Sequence, residues 1–248
     1  MPLNHKEYQK LIREINRLRN EVNLFNNEEI SENALDDLKH KITKYETQNP
    51  TKIAFDSPNY MVAGGVATGF EKFTHSRRML SLNDIFSLKE LEEWQERFQS
   101  YGKKQLQIEE EVFAQIQPKY ICEPKIDGLA ISLHYSDGEL VAAATRGDGY
   151  IGELVTKNVR QIQSIPKQIE DKRKLEVRGE IFITKKDFET LNQEIIDQKK
   201  LGKMGKTGKE AVFANPRNAT SGTIRQLDSQ VVSQRRLSFI AYGIWFEE

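Results

Sequence analysis

The apolar pattern of this chain changes period near Tyr120, and that change limits what it can fold into. Upstream, apolar residues recur every three or four positions, the spacing of one helix face. Downstream, Ala130-Ile131-Ser132-Leu133-His134-Tyr135 and Leu140-Val141-Ala142-Ala143-Ala144-Thr145 flank Ser136-Asp137-Gly138. An Asp-Gly turn between two such runs predicts a β-hairpin. Drawn this way, the hairpin puts Lys125 just before one strand and Arg146 just after its partner, so both lie at the same end of the sheet. With 248 residues, the chain can bury one good core and a small satellite domain.

The helical part begins with two stripes. Tyr8, Leu11, Ile12, Ile15, Leu18 and Val22 predict one helix, and Leu35, Leu38, Ile42 and Tyr45 predict a second, with Ser31 as its cap. Facing each other, the stripes make a helical hairpin over residues 1–54, and residues 49–69, with their Pro and Gly, read as a linker. A third helix opens at the capping box Ser87-x-x-Glu90, carries Leu88, Leu91, Trp94, Phe98 and Tyr101, and should stop at Gly102. Thr184-x-x-Asp187 caps another, with Phe188, Leu191, Ile195 and Ile196 as its apolar stripe. Residues 199–209 are basic and aperiodic, the pattern of a solvated loop, and Leu237–Phe246, with Phe239, Tyr242 and Trp245, reads as a closing apolar strand. The expected fold is α+β: a small N-terminal helical hairpin, then a mainly antiparallel-sheet domain over residues 55–248.

Composition narrows the setting. Lysine plus arginine equals aspartate plus glutamate at 37 each, so no global field draws the chain to nucleic acid, and any DNA affinity must come from a local basic face. The single cysteine, Cys122, excludes an intrachain disulfide and a four-cysteine zinc site, fits a reducing compartment and reads as a packing residue. No run reaches the ~18 apolar residues of a membrane span, and the first ten residues lack the apolar core of a secretion signal. A soluble cytoplasmic monomer without membrane contact is expected.

The chemistry centres on Cys122-Glu123-Pro124-Lys125-Ile126-Asp127-Gly128-Leu129-Ala130. One lysine stands between two carboxylates, beside a glycine that lets a phosphate approach, which is the layout of a lysine nucleophile that takes up a nucleotide. A free amine with a pKa of about 10.4 is almost wholly protonated at neutral pH, and Glu123 and Asp127 would hold that proton on. The nucleophile therefore needs positive charge from elsewhere, either a metal on the phosphates or an arginine brought in by the fold. Taken alone, the string also describes an ordinary lysine at the mouth of a strand.

Further segments follow in order: Thr145-Arg146-Gly147-Asp148-Gly149, Leu175-Glu176-Val177-Arg178-Gly179-Glu180-Ile181-Phe182, Phe213-Ala214-Asn215-Pro216-Arg217-Asn218-Ala219 and Gly222-Thr223-Ile224-Arg225-Gln226-Leu227-Asp228. With the lysine segment, these resemble the adenylation domain of bacterial NAD-dependent DNA ligases, from about Phe55 onward and most specifically over residues 122–228. A weaker similarity covers the first 50 residues. The resemblance implies a DNA-ligase-type nucleotidyltransferase domain in which Lys125 attacks the α-phosphate of NAD, releases nicotinamide mononucleotide and carries AMP as a phosphoramidate. It implies that Glu123 accepts from the adenine amino group, that the backbone at Ser81 and Leu82 helps hold the base, and that Glu180 binds the ribose hydroxyls. The plainer alternative for Glu180 is a strand-edge charge paired with Arg178. Arg146 would lie by the ribose, Asp127 would orient Lys125 and engage the ribose or the DNA terminus, and Gly128 would give clearance. Arg217 and Arg225 match arginines that face the phosphates of nicked duplex DNA, and Mg²⁺ is expected with the phosphates.

Two departures accompany the likeness. The family's helical domain grips the nicotinamide half of NAD through aromatic and acidic side chains, but here Val22, Asn23 and Leu35 replace the aromatic positions. Asp36 is retained and Glu32 is a longer substitute for an aspartate. Arg78 stands where the family has proline. The family's adenylation domain also continues past the position of Trp245 into strands whose lysines contact the α-phosphate, so this chain is expected to be a fragment or a truncation with little activity alone. The alternatives are a degenerate ligase-like module that binds adenine nucleotide or DNA without catalysis, and an ATP-using nucleotidyltransferase. The helical hairpin and the Phe-Ala-Asn-Pro-Arg-Asn segment count against the latter.

Overall fold

A computed structural model describes residues 3–25, 32–60, 69–82, 84–106, 119–201 and 212–247. Helices and antiparallel strands are both present, an α+β fold. The chain folds into two compact units: Met1–Leu80 with Ile126–Glu248, and Ser81–Lys125.

The first unit begins with the helical hairpin, α1 (His5–Phe25) and α2 (Glu32–Gln48). Tyr8, Ile12 and Ile15 of α1 bury against Ile42 and Tyr45 of α2, and the rings of Tyr8 and Tyr45 stack at 4.2 Å. This is the pairing of stripes that the helical period predicts. Ser31, the expected cap, lies outside the described residues. The stretch expected as a linker is fastened to the hairpin as far as Asn59. Buried Glu46 accepts from the Tyr8 hydroxyl at 2.7 Å and from Asn59 Nδ2 at 2.8 Å, the Tyr8 oxygen accepts from the Ala54 N–H at 2.9 Å, and Asn16 Nδ2 donates to the Asp56 carbonyl at 2.8 Å. A buried carboxylate needs such partners, so hydrogen bonding carries the hairpin past residue 54.

The rest of the unit is built on a four-stranded antiparallel sheet in the order β3 (Glu139–Thr145), β2 (Leu129–Ser136), β5 (Leu175–Ile183), β6 (Leu237–Phe246). A smaller sheet pairs β1 (Lys72–Thr74) with β4 (Ile151–Glu153). The predicted hairpin is β2–β3. Its turn residues Asp137 and Gly138 have φ of 53° and 82°, the left-handed pair of a type I′ turn, whose twist matches that of the strands it joins. Strand alternation then sorts the sheet into two faces. Ile131, Leu133, Tyr135, Leu175, Ile181 and Ile183 join the main core, to which α4 (Thr156–Val159), α6 (Pro216–Ile224) and α7 (Ser229–Gln234) contribute Val159, Ala219, Ile224 and Val232. The opposite face carries Ser132, His134, Glu176, Arg178 and Glu180. Helix α5 (Lys185–Lys200) starts as expected, with the Thr184 side chain accepting from the Asp187 N–H at 3.1 Å. It runs into the start of the basic stretch, and residues 202–211 lie outside the described residues.

In the second unit, α3 (Leu88–Leu106) opens where Ser87 Oγ accepts from the Glu90 N–H at 3.2 Å, while the Glu90 carboxylate accepts from the Phe86 N–H at 2.9 Å. That return bond lands one residue earlier than in a capping box. The expected stop at Gly102 does not occur. An internal glycine costs only about 1 kcal/mol, and Lys103, Lys104, Gln105 and Leu106 all favour helix, so the helix continues to Leu106. Cys122 is exposed and free, not a packing residue. Among the described residues no helix is long and apolar enough to cross a membrane.

Candidate functional site

Strand β5 is the spine of the polar face. Glu176, Arg178 and Glu180 alternate with core residues, so all three point the same way. Arg178 does not pair with Glu180, as the plainer reading had it; its Nε donates to Glu176 Oε1 at 2.6 Å. Glu180 sits between Ala130 of β2 and Ile240 of β6 in the register. On β6, Gly243 pairs with Arg178 and Ala241 with Gly179, which leaves Tyr242 without a partner at a bulge. Bulges re-aim side chains, and the Tyr242 phenol interacts electrostatically with Glu180 and Arg146. Sequence reading placed Tyr242 on the strand as one apolar residue among several and missed this role, since nothing in an alternating pattern announces a bulge.

Arg146 reaches this face from the end of β3, where its N–H donates to the Ala130 carbonyl at 3.2 Å. The turn that follows is built locally. Asp148 Oδ1 accepts from the N–H groups of Tyr150 and Ile151 at 2.8 and 2.7 Å, and Gly147 has φ of 55° with a hypothetical Cβ only 1.8 Å from the Ile151 carbonyl oxygen. Burial, and then the neighbouring charge of Arg217, pushes the Arg146 pKa down, while Glu180 and Tyr242 push it back up. Arg217 arrives on the first turn of α6, which Asn215 caps by accepting from the Asn218 N–H at 2.7 Å, with Pro216 at the first helical position. The Asn-Pro-Arg string is thus a helix start that presents an arginine. Arg217 Nη1 lies 3.2 Å from Asp127 Oδ1. The structure therefore brings Asp127, Arg146, Glu180 and Arg217 into one charged group, with Tyr242 beside them.

Arg225 goes elsewhere. At the C-terminal cap of α6, its Nε donates to both oxygens of fully buried Glu153, at 3.0 and 3.2 Å. Glu153 also accepts from the Thr145 hydroxyl at 2.8 Å. An arginine expected to face DNA is thus tied into the interior, because an unpaired buried carboxylate would be costly. Gly128 likewise has a use the sequence did not suggest. A Cβ there would lie 2.0 Å from the Ile181 carbonyl oxygen, so close strand packing requires glycine whether or not a phosphate approaches.

Ser81, Leu82, Glu123 and Lys125 belong to the Ser81–Lys125 unit and are exposed. In the helical hairpin, Glu32 is the first residue of α2, with its side chain outside the described set. Asp36 Oδ1 lies 3.6 Å from Lys39 Nζ, and Leu35 packs against the Tyr8–Tyr45 core.

An antiparallel sheet with a carboxylate and guanidinium face, entered four residues after a lysine in a Lys-x-Asp-Gly frame, defines a nucleotidyltransferase domain. Residues 67–248 match the model of the NAD-dependent DNA ligase adenylation domain. The chain is 39% identical over 242 residues to the DNA ligase of Sulfurovum sp. (strain NBC37-1), covering 98% of this chain and 34% of that protein. It is 44% identical over 214 residues to the DNA ligase of Campylobacter concisus (86% of this chain, 29% of that protein), and 41% identical over 210 residues to that of Helicobacter hepaticus (84% and 29%). The chain belongs to the NAD-dependent DNA ligase adenylation domain family, and it spans about a third of the length of these curated relatives.

Proposed function

We propose that this chain is the nucleotide-loading part of an NAD-dependent DNA ligase, with residues 1–54 as the nicotinamide-side module and residues 55–248 as the adenylation domain, working as a cytoplasmic monomer. Lys125 is the nucleophile. Its Nζ, once deprotonated, attacks the α-phosphorus of NAD. A P–N bond forms, the bridging P–O bond breaks, and nicotinamide mononucleotide leaves with the bridging oxygen. AMP stays on Lys125 as a phosphoramidate, for later transfer in sealing nicked duplex DNA. Holding the nucleotide covalently divides one hard phosphoryl transfer into easier steps.

The observation that carries this reading is the convergence of Asp127, Arg146, Glu180 and Arg217. Glu180 can accept from the two ribose hydroxyls, and Arg146 supplies a permanent charge beside it. Tyr242 offers an aromatic face of the kind on which bases stack. Asp127 orients the lysine two residues before it, and Arg217, held by Asp127, is the cation to be handed to a DNA phosphate. Arg225 serves the DNA face through the Glu153 pair that anchors the end of its helix. Glu123 and the Ser81 and Leu82 backbone take the adenine. On the nicotinamide side, Asp36 and Glu32 remain as polar contacts.

Magnesium is expected to arrive as the counterion of the phosphates. Among the described residues the cluster with metal-ligand spacing is His75, His134 and Glu176. It is rich in nitrogen, and Arg178 already holds its carboxylate. Mg²⁺ prefers oxygen ligands in an octahedron, so these residues do not fit it, and no step here runs through it.

The test is a mass measurement. In a chain extended to the length of its relatives, incubation with NAD and Mg²⁺ should add AMP to the peptide that contains Lys125, and Lys125→Ala should abolish the adduct. An adduct on another lysine would overturn the assignment. Binding of AMP with no adduct, in a chain extended to the length of its relatives, would favour the module that binds without catalysis.

A further inference from the structure

Three separate strands bring His75, His134 and Glu176 to one place. His75 directly follows β1, His134 lies on β2, and Glu176 lies on β5 opposite His134 in the register. Each offers one ligand atom, and the three atoms lie within 4.8 Å of one another. All three residues belong to the first compact unit. The Phe73 ring packs beside them, 4.8 Å from the His134 ring and 5.6 Å from that of His75.

One nitrogen of this group is an orphan. His75 is only 7% exposed, and its Nε2 lies 3.1 Å from the Thr145 carbonyl oxygen. A carbonyl can only accept, so in the neutral ring Nε2 carries the hydrogen and Nδ1 carries a lone pair. That Nδ1 is buried and has no hydrogen-bond partner among the described residues. Buried polar atoms are otherwise paired, and an orphan calls for a water or an ion. A ligating imidazole donates its other N–H to a carbonyl or carboxylate, and a ligating carboxylate is itself hydrogen-bonded. His75 meets the first condition through Thr145. Glu176 meets the second through Arg178, whose Nε and Nη2 donate to its two oxygens at 2.6 and 3.2 Å, and each oxygen keeps a second lone pair. The Arg178 charge is also met by the Arg77 and Arg78 carbonyls, at 2.6 and 3.0 Å, which lessens the repulsion that a second cation would feel.

We propose that His75, through Nδ1, together with His134 and Glu176 binds one zinc ion, which ties the β1–β4 strand pair to the main sheet. Two imidazoles and a carboxylate suit zinc, and the burial of the site argues against iron, whose triads of this kind keep open positions. Glu247, with Oε1 3.9 Å from His134 Nδ1, can supply the fourth ligand. Zinc bonds of about 2.0–2.2 Å in a tetrahedron hold ligand atoms about 3.3–3.6 Å apart, so the widest pair closes by at most about 1.5 Å on binding. The ion is independent of the nucleotide chemistry and serves the fold.

The test uses the whole 248-residue chain, stripped with a chelator and titrated with zinc sulfate in competition with a chromogenic zinc indicator. One equivalent should bind, and the melting temperature should rise with zinc. Losing a group that merely orients a ligand costs about 10- to 100-fold in metal affinity, so His75→Gln and His134→Gln should each cost at least that. Exposed Cys122 and His5 are the other places where zinc could settle, and Cys122→Ser and His5→Gln should leave the affinity unchanged. If neither His75→Gln nor His134→Gln folds, proton–nitrogen correlation spectra of the wild-type imidazoles decide. Zinc should move the ring nitrogens of His75 and His134, with Nδ1 of His75 as a bound atom, and leave those of His5 and His40 in place. Three results would each overturn the site: wild-type affinity in a folded His75 or His134 variant, affinity lost with Cys122 or His5, or spectral shifts at His5 or His40 in place of the other two. Absence of binding to the wild-type chain would overturn it as well, and would assign the orphan nitrogen to a water.

Discussion

The helical hairpin and the polar face of the sheet hold themselves together by different means. The hairpin is an apolar seam of Tyr8, Ile12, Ile15, Ile42 and Tyr45 with one buried carboxylate, Glu46, satisfied by hydroxyl and amide donors. The sheet region buries charges in opposite-sign pairs, Arg178 with Glu176 and Arg225 with Glu153. Apolar packing tolerates substitution at its margins, whereas a buried ion pair fails when either partner is removed.

The largest effect should come from breaking a buried pair. Arg225→Ala removes the cation beside fully buried Glu153, leaving its charge to the Thr145 hydroxyl and other neutral donors, and should cost about 3–5 kcal/mol, read from urea unfolding. Arg217→Ala, at the other end of the same helix, should change stability by less than about 1 kcal/mol, because its pair with Asp127 is partly exposed. Equal costs would mean that the two arginines are not divided between interior and surface as described.

In the hairpin, Tyr8→Phe removes the donor to Glu46 and the acceptor for the Ala54 N–H. One buried polar group left unpaired costs about 1–3 kcal/mol. AMP affinity should not change; a drop would couple the hairpin to the adenine side.

Opposite pH limits should separate the regions. Burial pushes the His75 and His134 pKa values down, against the attraction of Glu176. The unfolded chain therefore takes up protons more readily as pH falls below about 6.5, and stability of the sheet region declines there. In the hairpin, burial, reinforced by Glu46, pushes the Tyr8 pKa up to about 12. Stability should hold up to the unfolded value of about 10 and fall above it. Urea titrations across both ranges, repeated with His134→Gln and Tyr8→Phe, should reduce the acid and alkaline arms separately; His75 keeps part of the first, and Tyr135 and Tyr242, whose pKa values burial also raises, keep part of the second.

The smallest effect concerns ligands. With Val22, Asn23 and Leu35 in place of aromatic side chains, NAD should bind no more than about tenfold tighter than AMP, a difference of ~1.4 kcal/mol, and nicotinamide mononucleotide alone should give no calorimetric signal. A larger NAD advantage would show that the hairpin still grips the nicotinamide half.

Local patterns were legible where the chemistry is local. The Asp137-Gly138 turn, the Thr184 cap and the Tyr8–Tyr45 seam follow from side chains a few positions apart, and the structure has them. What was hidden depends on residues far apart in sequence. Nothing near Glu153 signals that Arg225, 72 residues on, will neutralise it, and the bulge that frees Tyr242 arises from pairing with β5. The stop expected at Gly102 failed because a weak local penalty lost to the helix formers after it.

The contact between Gly128 and Ile181 bears on how mutational scans of the Lys-x-Asp-Gly string are interpreted. With the Ile181 carbonyl where a methyl group would stand, Gly128→Ala pushes β2 and β5 apart at the point where their ladder begins. Loss of activity in that variant is then a failure of assembly. It carries no information about nucleotide contact, and among the four motif positions only Lys125 and Asp127 can be probed for chemistry without first proving that the sheet has closed.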